Sequence, residues 1–340
     1  SNSGILVLEG HSDQVFNCAL SADGKLALSS SYDNTCILWN TSDGTRLHTL
    51  KGHTDCVNDC ALSADGKVAL SASLDETCML WETADGTLRC VLKGHVDNVE
   101  GCALSADGKL AISASWDKTC MLWNTIDGRL IRTLKGHAGF VVACALSSSG
   151  NLALSISYDG TSIVWNTSDG TPIHKLKRNS VSCALSADGS LAILASMDTS
   201  CTLWSTFDGK LIHQLKGHSN SVLGCALSAD GKLALSASED CTCILWDTSD
   251  GTQIRTFRNH YQSVRKCALS GAGTVALSIS EENASFVWDT STKIAGHFLS
   301  TPMVICRDLG PHLSMIHGEI SNALFGYNYF TLLQTERSHS

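Results

Sequence analysis

Five times along the 340-residue chain a histidine is followed at 18 residues by a serine, at 22 by an aspartate and at 28 by a tryptophan. The sets are His11, Ser29, Asp33 and Trp39; His53, Ser71, Asp75 and Trp81; His95, Ser113, Asp117 and Trp123; His137, Ser155, Asp159 and Trp165; and His218, Ser236, Asp240 and Trp246. Serine, histidine and aspartate are the parts of a nucleophilic hydrolase, in which the imidazole takes the serine proton and the carboxylate orients the imidazole. Such an enzyme relies on one privileged serine, whereas this set is copied five times. The repetition argues for a structural role, and no catalytic residue is expected.

Sixteen cysteines raise a second chemistry, a disulfide framework or a metal centre. Their positions argue against both. Cys18, Cys60, Cys102, Cys144, Cys183, Cys225 and Cys267 hold one slot, and Cys36, Cys78, Cys120, Cys201 and Cys243 hold another, three residues before a tryptophan. Equivalent slots belong to different repeats, so they cannot pair as a framework. Both fall among apolar strand positions, where cysteine behaves as a small hydrophobe. So many free thiols fit a reducing, cytoplasmic compartment. Cys56, Cys90 and Cys241 lie off these slots, with Cys241, in a turn, the most reactive. No cofactor or metal is implied.

The element that must position all these residues is typified by Cys225 to Trp246, which reads as three short strands with a hairpin at Asp230-Gly231. Asp-Gly between apolar runs predicts a two-residue turn with positive φ at both central residues. The closing tryptophan recurs at 39, 81, 123, 165, 204, 246 and 288, with spacings of 42, 42, 42, 39, 42 and 42. A second Asp-Gly follows each of the first six, then a fourth strand. A period of about 40–45 residues marks a propeller of four-stranded blades. The fold is therefore expected to be all-β, a propeller of seven four-stranded blades over residues 5–290. Ile5-Leu6-Val7-Leu8, a fourth strand with no first three before it, is expected to complete the last blade and close the ring, removing open edges.

Repeat five is shortened around Arg178-Asn179, and repeat seven carries Asn259-His260 and Glu282 where the others have Gly-His and aspartate. Residues 291–340 form a C-terminal extension with apolar stretches; a degenerate eighth blade is the alternative reading. The chain begins Ser1-Asn2-Ser3-Gly4 and reads as a segment of a longer polypeptide. Net charge is −9 with no Lys/Arg-rich run, which argues against nucleic acid or an anionic membrane surface as partner. No run of 18 apolar residues suggests membrane insertion.

The Gly-His start, the turn aspartate and the closing Trp-Asn or Trp-Asp resemble the WD40 repeat family, over roughly residues 5 to 290. The repeat style is similar to WD40 arrays of NACHT-type signalling proteins. The resemblance implies that the recurring histidine, serine, aspartate and tryptophan form a buried hydrogen-bond relay. Repeat five lacks the histidine and carries Leu194 in the serine slot, so the partners are lost together.

In relatives, proteins and peptides dock on the face bearing the turns between second and third strands and the lead-in loops around Gly-His. On that face the positions not dictated by the repeat are Phe16, Tyr32, Leu74, Glu100, Trp116, Phe140, Tyr158, Met197, Glu239 and Arg265. Its aromatics gather on repeats one to four, an interaction crescent with a polar side. Trp116, Phe140 and Tyr158 beside Glu100 suggest a cage for a methylated lysine. The leading expectation is a non-catalytic, monomeric interaction module of a larger protein, with a protein or peptide ligand. The alternatives are a substrate receptor of a ubiquitin-ligase complex and a propeller enzyme.

Overall fold

In the first blade, β1 (Val15–Leu20), β2 (Leu26–Ser31), β3 (Thr35–Asn40) and β4 (Arg46–Lys51) form one antiparallel sheet in chain order. The computed structural model describes residues 8, 10–258, 260–281 and 285–290. The meander repeats around a propeller of seven blades, and no helix occurs among the described residues. Six blades show all four strands, and the seventh shows three, Val264–Leu269, Val275–Ser280 and Ser285–Asp289. Leu8, from the segment expected to supply the fourth, is buried with Leu277, Ile279 and Val287 of blade seven and Trp39 of blade one. Residues 5–7 of that segment, and the C-terminal extension with its eighth-blade alternative, lie outside the described residues.

Burial explains the sequence of each strand. β2 and β3 lie between neighbouring sheets and are buried along nearly their whole length, so both read as continuous apolar or small-residue runs. β4 is the outer strand and keeps only its last leucine fully buried. The core consists of interfaces between blades: Leu28, Cys36, Leu38 and Leu50 of blade one pack with Val57, Cys60, Met79 and Trp81 of blade two. Packing demands the glycine before His95, His137 and His218, since a Cβ on Gly136 would come within 2.8 Å of the Trp165 ring and one on Gly94 or Gly217 within 2.9 Å of the Trp123 or Trp246 ring.

The ring closes at seven blades. The amide of Ala22 donates to the carbonyl of Ala64, Ala64 to Ala106, Ala106 to Ser148, Ser148 to Ala187, Ala187 to Ala229, Ala229 to Gly271, and Gly271 back to Ala22, all at 2.8–3.0 Å. These donors sit in the turns between first and second strands. The turns differ from the two-residue hairpin expected from Asp-Gly: Gly24 has φ 70 and Asp23 does not share it. Gly24 N donates to Ser21 O at 2.9 Å, and Asp23 Oδ1 accepts from Ser21 Oγ and from the Lys25 amide. The aspartate side chain caps a longer turn in which only glycine needs the left-handed region.

Candidate docking face

The relay residues meet in each of the five regular blades. In blade three, His95 Nδ1 lies 2.6 Å from Asp117 Oδ2 and His95 Nε2 lies 2.7 Å from Ser113 Oγ, which accepts from Trp123 Nε1 at 2.8 Å. The same chain joins His11, Asp33, Ser29 and Trp39; His53, Asp75, Ser71 and Trp81; His137, Asp159, Ser155 and Trp165; and His218, Asp240, Ser236 and Trp246. The indole donates only, so the serine proton is free for Nε2, and the histidine proton on Nδ1 faces the carboxylate. All five serines are buried.

Burial alone would push the turn carboxyls up. Hydrogen bonds from the histidine, from the threonine two residues on and from backbone amides outweigh it, holding Asp33, Asp75 and Asp240 well below the usual range and Asp117 and Asp159 at about 2. Burial also lowers His137, against the pull of Asp159.

Two irregular blades keep parts of the relay. In blade seven His260 Nε2 lies 2.8 Å from Ser278 Oγ, which accepts from Trp288 Nε1 at 2.9 Å. In blade five Arg178 takes over the turn aspartate, reaching Asp198, Ser196 and Ser200. Trp204 turns to Thr202 Oγ1, its Nε1 donating at 2.9 Å.

Every cysteine among the described residues is free. The two slots nevertheless meet: the third-strand cysteine of one blade and the first-strand cysteine of the next share one interface, as in Cys120 with Cys144 and Cys201 with Cys225. Burial pushes the thiols of Cys120 and Cys243 up to about 12, far from a reactive thiolate. Cys56, Cys90 and Cys241 are half-buried.

The expected docking positions owe their aim to a feature absent from the sequence pattern. Every first strand carries a β-bulge against its second strand at the same place. The extra residues are Phe16, Asn58, Glu100, Val142, Val181, Leu223 and Arg265, one per blade. Because first strands of successive blades pack side by side around the full circle, these residues form a ring about the axis, and a bulge re-aims its side chain away from the sheet alternation. The ring is polarised: Val142, Val181 and Leu223 make an apolar arc, and Arg265, Asn58 and Glu100 put charged and polar groups on the opposite side, with Phe16 between Arg265 and Asn58.

Above the ring, turn residues of blades one, two, three, four and six are tied to their own lead-in loops. Tyr32 N donates to Gln14 O, Leu74 N to Cys56 O, Trp116 N to Asn98 O, Tyr158 N to Phe140 O and Glu239 N to Ser221 O, each at 3.0 Å. The aromatics form two separate stacks rather than one crescent. Phe16 and Tyr32 stack at 5.0 Å in blade one, and Trp116 and Phe140 stack at 5.0 Å and 11° across blades three and four. Leu74 and Asn58 of blade two lie between them in the circuit. The Trp116–Phe140 stack fills the slot in which a methylammonium would have to sit, so these two rings do not form the walls of a cage. Arg265 lies over Phe16 at 5.5 Å and pairs with Glu281 at 2.9 Å. Phe140, Tyr158 and Met197 are 40, 65 and 61 % exposed on blades four and five. Glu100 accepts from Asn58 Nδ2 at 3.0 Å, and burial pushes its carboxyl up.

The WD domain, G-beta repeat pattern matches residues 3–40, 44–82, 86–124, 128–166 and 209–247, together more than half of the chain. Four of the matched segments start at the turn glycine just before an outer strand, and all five end at the residue after a third-strand tryptophan, one strand out of phase with the blades. The stretches left unmatched hold the altered lead-ins at Arg178 and Asn259. No curated protein matches the chain. The propeller and the repeat together identify it: the chain belongs to the WD40-repeat family.

Proposed function

We propose that this chain is a non-catalytic docking module that holds a protein or peptide on the face carrying the lead-in loops and the turns between second and third strands. The observation that carries this reading is the exposure of Phe140, Tyr158 and Met197 on adjacent blades beside the Trp116 stack. Large apolar side chains grouped on one face are the anchors from which interfaces take most of their energy. The relay supports the same reading, because its serines are buried and already engaged by histidine and indole in blade after blade.

The test is selection of a displayed peptide library on the intact chain, followed by binding of the selected peptides to a Phe140→Ala/Tyr158→Ala variant. Loss of at least tenfold in affinity with an unchanged melting temperature is expected. Equal binding by the variant, or selection of no peptide at all, overturns the proposal.

A further inference from the structure

Asn58 is the most buried member of the bulge ring, 5 % exposed, and its side chain is only half used. Nδ2 donates to Glu100 Oε2 at 3.0 Å, while Oδ1 is buried and receives no donor. A buried acceptor left without a donor is costly and calls for a partner from outside. Since both ends of an amide lie close together, this acceptor sits at the Glu100 carboxylate.

The charges around it do not cancel. Asp59, the next residue, accepts from the amides of Cys60 and Cys102 at 2.8 Å and from Asn17 Nδ2. Lys266 acts on Asp59 and Glu100 through space, and among the described residues its ammonium joins no ion pair. The Arg265 guanidinium is committed to Glu281. Asp59 and Glu100 therefore share the field of one ammonium, and Glu100 has no ion-pair partner of its own among the described residues.

Resting on the docking reading above, we propose that Asn58 Oδ1 and the Glu100 carboxylate form a subsite for one arginine side chain of the docked polypeptide. A guanidinium is a planar fork of donors that serves an amide oxygen and a carboxylate together, which a lysine ammonium does less well. A divalent metal is a poorer fit, because the oxygens of Asp59 are already taken up by N–H donors. Only two acceptors are left, where calcium requires six to eight oxygens.

The test is an amide-resolved NMR titration of the whole chain with the tripeptide acetyl-Gly-Arg-Gly-amide, following the Asn58 side-chain amide and the Cys102 backbone amide. Saturable shifts are expected, at least tenfold weaker for the citrulline peptide and at least threefold weaker for the lysine peptide. Glu100→Gln, which can keep the bond from Asn58, is expected to weaken the arginine peptide at least tenfold. Equal response to arginine and citrulline, an unchanged response in Glu100→Gln, or the same shifts produced by calcium at lower concentration would overturn the subsite. Where the arginine peptide fails but library peptides still need Phe140 and Tyr158, the subsite is wrong and the docking reading stands. Failure of both removes both.

Discussion

Arg178 Nη2 lies 2.9 and 2.7 Å from the two carboxylate oxygens of Asp198, in the blade that has lost its relay histidine. A guanidinium thus covers the turn aspartate where the five regular blades use an imidazole. The pair is partly exposed, 19 and 54 %, so solvent screens it. Arg178→Ala is expected to cost about 1 kcal/mol in urea unfolding. Arg178→Lys should recover less than half, because an ammonium cannot reach Asp198, Ser196 and Ser200 as a fork does. A lysine variant as stable as the parent would show that charge alone matters.

Removing one relay hydroxyl should cost more. Ser113→Ala strands the Trp123 indole donor and His95 Nε2 in a dry interface, and each orphaned group costs about 1–3 kcal/mol. Chemical denaturation is expected to show a loss of a few kcal/mol, against almost none for Ser42→Ala on the exposed turn. Similar stabilities for the two variants would mean that the relay contributes nothing.

The relay carboxylates make the fold acid-sensitive. Their folded values lie below the unfolded value of about 3.9, so their contribution is present above that pH. It disappears as pH falls through about 2, the value held by Asp117 and Asp159. His137, also lowered, favours its neutral form in the fold and adds loss once pH drops below about 6.5. Melting temperature should therefore fall steeply between pH 4 and 2, and less steeply in Asp117→Asn. Identical acid limbs for the two proteins would refute the assignment.

Asp59 behaves in the opposite sense. Burial pushes its carboxyl up to about 6, against Lys266 and its amide donors, so the fold prefers it protonated. Its contribution is complete below about pH 4 and is lost as pH rises through 6, on the order of 2 kcal/mol in all. The stability of Asp59→Asn relative to the parent should rise between pH 4 and 7. A difference that stays flat across that range would rule this out.

The blades were legible in the sequence because each carries its own markers: an indole at a fixed interval, Asp-Gly turns, and apolar runs of strand length. The relay was legible through spacing, since residues 18, 22 and 28 apart recur together. The bulge ring was not. Val57 to Leu62 reads as an uninterrupted strand, and because every repeat carries the same insertion, no regular copy exists against which it would stand out. Nor was the meeting of Cys120 with Cys144, because the register between two sheets is set by how they pack, which neither sequence states. Arg178 does not read as the replacement for the missing histidine, because the shortened lead-in places it 20 rather than 22 residues before the turn aspartate.

The circuit of amide bonds from Ala22 through Gly271 and back leaves none of the seven described blades at an open end. In an open stack the end units fray first and stability grows with each added unit. Here the loss of any one sheet exposes two interfaces and breaks two links of the circuit. Partial unfolding from an end is closed off, and the seven sheets are bound to melt as one.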